Sequence, residues 1–214
     1  MIVDEAAARA CVQGLAEGDA TAMDRLERLV LLLTEENGRQ NLVSAASLGE
    51  AWKRHIADSA QLLHHVPRET SSPWLDLGTG AGFPGLVIAA LRPECEVLMV
   101  ESRARRIAWL ERVCAELSLV NARVIGSRLE QVETCKVHAI SARAFAPLDR
   151  LLELSARFST ADTIWVLPKG RSAQQELDAL RGWNHLFHVE QSLTDAESGV
   201  IVGRLRGRKG QPKP

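Results

Sequence analysis

The stretch Trp74-Leu-Asp-Leu-Gly-Thr-Gly-Ala-Gly-Phe-Pro-Gly85 decides the fold. It reads as a short apolar strand, then four glycines in eight residues, with a proline where a helix would begin. Glycines at such a junction let the backbone turn tightly and approach a ligand with no Cβ in the way. The N–H groups of the following helix would face that ligand. This order predicts an α/β fold with a ligand site at the end of the first strand.

Outward from this stretch, short apolar runs alternate with helical patterns. We predict strands over Trp74–Leu77, Val97–Val100, Arg123–Ile125, His138–Ser141 and Thr163–Leu167. Helices are predicted between them, over Pro84–Leu91, Arg103–Leu117, Leu148–Phe158 and Ala173–Leu180. This alternation indicates βαβ units and a parallel sheet.

The last two strand-like runs differ from the others. His185–Val189 and Val200–Leu205 are joined by a loop too short for a crossover helix, so they should form an antiparallel pair. The predicted fold class is therefore α/β: a doubly wound, mostly parallel, Rossmann-like sheet that ends in an antiparallel pair.

The first seventy residues show helical periodicity only. Thr21-x-x-Asp24 and Ser47-x-x-Glu50 have the spacing of capping boxes and predict two helix starts. The segment from Pro67 to Pro73 is a clear break in composition, where we place a boundary. The predicted organisation is an N-terminal helical cap over residues 1–70, a sheet domain over 71–206 and a basic tail over 207–214.

Composition and sequence pattern indicate a globular protein and give no sign of a membrane span, a secretory signal or a metal site. The chain has 214 residues, 46% hydrophobic and 25% charged, which is typical of a soluble globular protein. Neither an apolar run long enough to cross a bilayer nor a secretory signal is visible, so we expect a cytoplasmic protein without membrane contact. The four cysteines and six histidines lack metal-site spacing, and no metal is expected.

The net charge of −1 hides an asymmetry. The last twelve residues hold five of the 26 basic side chains and no acid, which leaves the remainder at −6. The tail residues Arg206, Arg208, Lys209 and Lys213 could contact nucleic-acid phosphates, and we expect a cut after Leu205 to leave the sheet intact. A solvated, frayed tail is the alternative, with phosphate contact made by Arg103, Arg105 and Arg106 instead.

Two frames of the glycine motif indicate different ligands. Gly80-x-Gly82-x-x-Gly85, with Glu101 after the next strand, fits the dinucleotide pattern of an NAD(P)-dependent oxidoreductase. Asp76-x-Gly78-x-Gly80-x-Gly82 instead resembles motif I of class I methyltransferases, which bind S-adenosylmethionine. The antiparallel terminal pair also resembles that family, and we favour the methyl donor. An RNA-binding accessory protein with a vestigial pocket is a third, non-enzymatic interpretation.

Four segments in order carry a closer resemblance. They are Arg54-His55-Ile-Ala-Asp58-Ser59, the 76–85 stretch, Ser141-Ala-Arg143-Ala-Phe145 and Lys169-Gly170. Together they resemble the small-subunit rRNA guanine-N7 methyltransferases of the glucose-inhibited-division B (RsmG) family. The resemblance implies methyl transfer from S-adenosylmethionine to N7 of a guanosine in 16S rRNA. The substrate would be the free rRNA or a small-subunit particle. The protein is expected to be a monomer.

The resemblance also implies roles for individual residues. The cofactor-binding set would be Asp76, Gly78, Gly80, Gly82, Phe83, Glu101, Leu129, Glu130 and Arg143. Glu101 would hold the ribose, Leu129 and Glu130 would flank the adenine, and Arg143 would line the pocket near the methionine end. From spacing alone, Glu130 could equally be a solvated helix residue and Arg143 a surface ion-pair partner.

No catalytic residue is predicted, because guanine N7 carries a lone pair and no proton, so alignment of the reactants can supply most of the rate. The substrate-facing set would be Arg54, His55, Asp58 and Lys169. A network that ties the helical cap to the sheet is the alternative role for Arg54, His55 and Asp58. For Lys169, the alternative is a solvated charge.

Overall fold

A computed structural model of the chain describes residues 1–69 and 73–210. The proposed division between residues 70 and 71, and Lys213 in the basic tail, fall outside the described residues.

Eight strands form one mixed sheet. They are β1 Trp74–Leu77, β2 Val97–Glu101, β3 Ala122–Gly126, β4 Ala139–Ala142, β5 Ile164–Gly170, β6 Trp183–His185, β7 His188–Gln191 and β8 Gly199–Arg208. The order is β3-β2-β1-β4-β5-β8, with β6 and β7 both paired to β8. The first five strands are parallel, and β8 is antiparallel to its three neighbours. The predicted fold class, including the antiparallel end, is confirmed.

Four α-helices precede the sheet: α1 Glu5–Leu15, α2 Ala20–Asn37, α3 Ala45–Leu48 and α4 Asp58–Ala60. Four more follow individual parallel strands, as predicted: α5 Gly85–Leu91, α6 Ala104–Glu116, α7 Leu148–Ser155 and α8 Ala173–Ala179. The turn before α4, Trp52–Ala57, is π-helical, and 3₁₀ turns span Gln61–His65, Leu129–Gln131 and Ala156–Phe158. Within the described residues, none of these helices combines the length and apolar character needed to cross a membrane.

The two faces of the sheet bury two apolar clusters. Along β1, Trp74 faces one cluster, while Leu75 and Leu77 face the other. The first cluster includes side chains of α1, α2, α5 and α6, and the second those of α7 and α8. The N-terminal helices therefore pack in the same core as one face of the sheet.

Two predicted helix starts in the N-terminal region are wrong. The N-cap of α2 is Asp19, whose carboxylate accepts hydrogen bonds from the N–H groups of Thr21 and Ala22. Ser47 lies inside α3, which Ser44 caps by accepting from the Ser47 N–H. α2 thus begins shortly before its predicted box, at a different capping side chain. The second box falls inside the separate short helix α3, and the helical run that starts at Trp52 has no side-chain cap.

The antiparallel end also differs in detail from the prediction. The run predicted over His185–Val189 is divided between β6, which ends at His185, and β7, which begins at His188. Between them the backbone of Leu186 approaches Gly203 so closely that a Cβ on Gly203 would clash with the Leu186 carbonyl. β8 continues past the predicted end at Leu205 as far as Arg208, which pairs with Trp183. Gly207 and Arg208, predicted for the tail, thus belong to the sheet.

Candidate functional site

The glycine-rich turn between β1 and α5 has a backbone that favours glycine. The φ angle is +62° at Gly78, +60° at Gly80 and +105° at Gly82, values that residues with a Cβ rarely adopt. A Cβ on Gly80 would also lie 2.9 Å from Nη1 of Arg106. Gly80 and Gly82 are buried inside the turn, whereas Gly78 borders a cavity.

The Asp76 carboxylate lies beneath this turn and is fully buried. Its Oδ2 accepts a hydrogen bond from the Gly85 N–H (3.0 Å) and its Oδ1 accepts one from the Ser141 hydroxyl (2.8 Å). That hydroxyl accepts a hydrogen bond from Nε1 of Trp74 (2.9 Å). Burial raises the pKa of the Asp76 carboxyl. The side chain therefore joins the turn to β4, and its predicted role at the cofactor site stays a prediction.

Glu101 ends β2 and turns its buried carboxylate back toward the glycine-rich turn. Oε2 accepts from the Gly80 N–H (3.1 Å), and Oε1 accepts from the N–H groups of Ser102 (2.7 Å) and Arg103 (2.9 Å). A carboxylate offers about four lone-pair positions. Three are used, so one position on Oε2 is left for a ligand.

A cavity of about 260 Å³ opens beside Gly78. Three of the predicted cofactor residues, Gly78, Glu101 and Leu129, line it. Val100 and Phe145 add apolar surface, and Arg103, Arg106 and Ser127 add polar groups. This cavity thus combines apolar surface with one carboxylate and two guanidinium groups.

Three other residues predicted to touch the same ligand, Phe83, Glu130 and Arg143, lie outside this lining. Glu130 is exposed on the 3₁₀ turn after β3, which agrees with the alternative of a solvated side chain. Phe83 is 2% exposed. Its ring stacks on His55, with centroids 5.1 Å apart, and Arg143 lies over it at 5.2 Å.

A larger cavity of about 750 Å³ adjoins the first. Ala144 and Phe145 line both cavities, so the loop after β4 lies between them. The larger cavity gathers all of the predicted substrate-facing residues together with Arg143: Arg54, His55, Asp58, Arg143 and Lys169.

Arg143 and His55 form the centre of a network at this cavity. Nη2 of Arg143 lies 3.3 Å from Nδ1 of His55, and Nε2 of His55 lies 3.1 Å from Oγ of Ser47. The Ser47 hydroxyl donates to the Ser44 carbonyl (2.9 Å), so it accepts from His55. Burial, with the charges of Arg143 and Arg54 as smaller causes, lowers the pKa of His55 to about 3. The imidazole is therefore neutral near pH 7.

Asp58 connects the helical region to the loop before β8. Its Oδ1 accepts from Nε2 of Gln61 (2.9 Å) and from the Thr194 hydroxyl (2.7 Å), and Oδ2 faces Nη1 of Arg143 at 3.5 Å. On the same side, Arg54 pairs with Asp195 at 3.6 Å. These contacts support the alternative in which Arg54 and Asp58 belong to a network that ties the helical cap to the sheet. Both residues also border the cavity.

The Lys169 ammonium is held by protein groups and its side chain is 7% exposed. Nζ lies 2.9 Å from Oε2 of Glu176 and donates to the Ala146 carbonyl at 2.6 Å. Glu176 also accepts from the Leu148 N–H (2.7 Å). The alternative of a solvated charge is therefore wrong, because Lys169 fixes the loop between β4 and α7.

Sequence reasoning missed the position of Phe145. Its ring packs on Gly78 so closely that a Cβ on Gly78 would clash with it. The preceding residue, Ala144, has a φ of +51°, which is uncommon for a residue with a Cβ. Such backbone strain tends to occur at functional sites. The sequence shows an aromatic residue in the loop after β4. It does not show that this residue lies between two cavities.

Comparison with known proteins gives consistent matches over nearly the whole chain. The family model described as rRNA small subunit methyltransferase G matches residues 22–198. A protein named "Ribosomal RNA small subunit methyltransferase G" from Erythrobacter litoralis is 59% identical, covering 97% of this chain and 100% of the relative. One of the same name from Novosphingobium aromaticivorans is 57% identical, covering 100% of this chain and 93% of the relative.

Solved structures share the fold at low sequence identity. A SAM-dependent methyltransferase from Aquifex aeolicus superposes with a TM-score of 0.54 at 14% identity, over 69% of this chain and 89% of that one. Fibrillarin from Aeropyrum pernix, solved with natively bound S-adenosyl-L-methionine, gives a TM-score of 0.53 at 15% identity, over 67% and 73%. The sheet is thus the sheet of class I methyltransferases.

Proposed function

The chain belongs to the rRNA small subunit methyltransferase G family, and we propose that it transfers a methyl group from S-adenosylmethionine to N7 of a guanosine in 16S rRNA. The observation that carries this proposal is the pair of adjoining cavities at the carboxyl end of the sheet. One has the chemistry expected for the adenosine part of the cofactor. The other has room for a nucleoside.

The smaller cavity fits the adenosine part of S-adenosylmethionine. Val100, Leu129 and Phe145 offer apolar surface to an adenine ring, and the open position on Oε2 of Glu101 suits a ribose hydroxyl. The absence of a Cβ at Gly78 lets the Phe145 ring pack against the glycine-rich turn at the border of this cavity. Asp76 supports this site from below by holding Gly85 and Ser141.

The larger cavity would receive the target nucleoside. When bound, S-adenosylmethionine supplies a sulfonium-linked methyl group that transfers directly to the guanine N7 lone pair, in line with the departing sulfur. Because N7 carries no proton, this chain need supply no general base, and the neutral His55 is consistent with that. Arg143, fixed by His55 and Asp58, would orient the methionine end of the cofactor and the base.

We further propose that Arg54, His55, Asp58 and Lys169 act by fixing the walls of the substrate cavity. Each already holds a partner within the protein: Asp195, Ser47, Thr194 and Glu176 respectively. In this proposal residues 1–70 form a helical cap over the sheet, and the enzyme works as a cytoplasmic monomer on 16S rRNA or a small-subunit particle.

Labelled methyl transfer tests the proposed function. The purified protein, incubated with S-adenosylmethionine labelled in the methyl group and with 16S rRNA or small-subunit particles, should produce N7-methylguanosine in the digested RNA. Binding of S-adenosylmethionine and absence of NAD binding in calorimetry would separate this function from an oxidoreductase. RNA binding without methyl transfer would instead support an accessory protein and contradict the proposal.

A further inference from the structure

The carboxyl edge of the sheet, where the two cavities open, is distant from the basic end of β8. β8 begins at Gly199, which pairs with Gly170 at the carboxyl end of β5. Its residue Arg204 pairs with Ile164, at the start of β5. Because β8 runs antiparallel, Arg204, Arg206 and Arg208 lie at the opposite edge of the sheet. At about 3.4 Å per residue, Arg206 is more than 20 Å along the strand from Gly199.

A different group of arginines lies beside the cavities. α6 starts directly after the carboxyl end of β2, and Arg103 and Arg106 line the smaller cavity. Arg105, on the same first turn, borders a neighbouring hollow of about 460 Å³ together with Arg39, which follows α2. We call Arg39, Arg103, Arg105 and Arg106 the α2/α6 arginine surface.

The acidic group in this hollow contacts two arginines, and the shorter contact is with Arg112, outside the α2/α6 arginine surface. Glu36 lies 2.7 Å from Nη2 of Arg112 and 3.5 Å from Nη1 of Arg39. A hydrogen bond from Gln40 is the largest cause that lowers the pKa of Glu36, so this carboxylate is charged near pH 7 and holds Arg112. The Arg39 side chain remains 70% exposed and Arg105 is exposed. Both guanidiniums are therefore accessible to an outside anion.

The arginine surface is also fixed relative to the cavities. Nε2 of Gln40 donates to Glu36 at 2.8 Å and to the Arg105 carbonyl at 3.4 Å, which joins the end of α2 to α6. Nε1 of Trp109, on α6, donates to the Ala81 carbonyl of the glycine-rich turn at 3.0 Å. An anion bound here would thus sit at a defined distance from the cofactor cavity.

We propose that the α2/α6 arginine surface binds the phosphates of the RNA strand that flank the target nucleotide. The inference rests on the proposed function, because it assumes an RNA whose base enters the larger cavity. A base that reaches the cavities brings its adjacent phosphates to the same edge of the sheet, where these guanidiniums form charge-assisted hydrogen bonds. The arginines at the far end of β8 cannot reach those phosphates.

Two double variants with the same change of charge test this assignment. Arg39→Ala/Arg105→Ala removes two charges from the arginine surface, and Arg204→Ala/Arg206→Ala removes two from the far edge. Binding to a 16S rRNA transcript is measured against salt concentration for both and for the parent. Each lost phosphate contact should flatten the log–log slope by about 0.7–0.9, so the first variant should lose about 1.4–1.8. The second should keep the parental slope.

Control measurements distinguish a loss of phosphate contacts from misfolding and from failure of the proposed function. Arg39→Lys/Arg105→Lys keeps the charge and should retain the parental slope, and S-adenosylmethionine binding should be unchanged in all variants. A parental slope in Arg39→Ala/Arg105→Ala, or an equal loss in both Ala variants, would overturn the inference. A parent that binds RNA with the expected slopes but transfers no methyl group would contradict the proposed function and leave the docking surface standing.

Discussion

Nδ1 of His55 lies 3.3 Å from Nη2 of Arg143, so the imidazole accepts a hydrogen bond from a cation at the larger cavity. A nitrogen that accepts carries no proton, which places the proton of the neutral ring on Nε2, toward Ser47. The ring is also stacked on Phe83 and is 6% exposed. His55 thus positions Arg143 and takes no part in proton exchange near neutral pH.

This arrangement predicts acid-sensitive stability. The unfolded chain protonates His55 near pH 6.5, whereas the folded protein does so near pH 3, because burial lowers the pKa of His55 to about 3. Between these values the unfolded state binds more protons, so the free energy of unfolding falls as the pH falls, by about 1.4 kcal/mol per pH unit. His55→Gln keeps a donor and an acceptor but cannot titrate, so it should lack this component. Urea denaturation of both proteins from neutral to mildly acidic pH measures the difference.

The remaining histidines contribute equally to both proteins and cancel in that difference. Parallel stability curves for the parent and His55→Gln would show that His55 is protonated in the folded state, in conflict with the Arg143 contact.

Glu101→Ala should weaken S-adenosylmethionine binding roughly ten- to a hundredfold, since one charge-assisted hydrogen bond to the ligand contributes about 1.5–3 kcal/mol. The same change leaves the N–H groups of Gly80, Ser102 and Arg103 without their acceptor, so the melting temperature should also fall. Glu101→Gln keeps the oxygen acceptor and should do less harm. Calorimetry and thermal denaturation measure the two effects separately. Parental affinity in a folded Glu101→Ala protein would remove Glu101 from the cofactor site.

Gly80→Val should abolish cofactor binding while the protein still folds. A branched side chain at φ +60° costs about 1–2 kcal/mol of strain and displaces Arg106 from the turn. Gly14→Val is the matched control, because Gly14 lies on the exposed face of α1 with open space around its Cα. Equilibrium dialysis with labelled S-adenosylmethionine should show binding in the control alone. Equal binding by both would mean that the turn does not contact the cofactor.

The parallel part of the sheet could be predicted from the sequence, because each strand and helix there has its own local hydrophobic pattern. β1 coincides with its predicted run, and α6 differs from its prediction by one residue at each end. The break at Leu186 could not be predicted, because buried Phe187 and half-buried Val189 continue the alternation of a single strand. At the break the backbone of Leu186 lies against Gly203 of β8, a contact that the local pattern does not encode.

The lining of the smaller cavity was predictable where a residue type has a local role, as at Gly78 and Glu101. It was less so where the outcome depends on packing between distant segments. Lys169 looked available to RNA, but Glu176, on the following helix, holds its ammonium. Phe83 looked available to the cofactor, but His55 from the N-terminal region covers its ring. These pairings form only when the chain folds.

The C-terminal half of β8 contributes to stability, so a chain that ends at Leu205 and a chain that ends at Gly210 should differ in stability. A chain that ends at Leu205 loses the pairing of Gly207 with Asn184 and of Arg208 with Trp183. It also loses the Arg208 guanidinium over the Trp183 ring, at 4.6 Å, and the ion pair of Arg208 with Glu153, at 3.4 Å. This corrects the expectation that a cut after Leu205 leaves the sheet intact.

We expect the chain ending at Leu205 to be about 1–3 kcal/mol less stable than the parent, since it loses strand hydrogen bonds of about 0.5–1.5 kcal/mol each. A chain ending at Gly210 keeps all of these contacts and should melt like the parent. For a protein of this size the first deletion should lower the melting temperature by roughly 2–4 °C per kcal/mol, as measured by circular dichroism. Both should bind S-adenosylmethionine normally, because the end of β8 at Arg206–Arg208 lies at the sheet edge opposite the cavities. If the chain ending at Leu205 had the melting temperature of the parent, the pairing of Gly207 and Arg208 with β6 would make no contribution to stability.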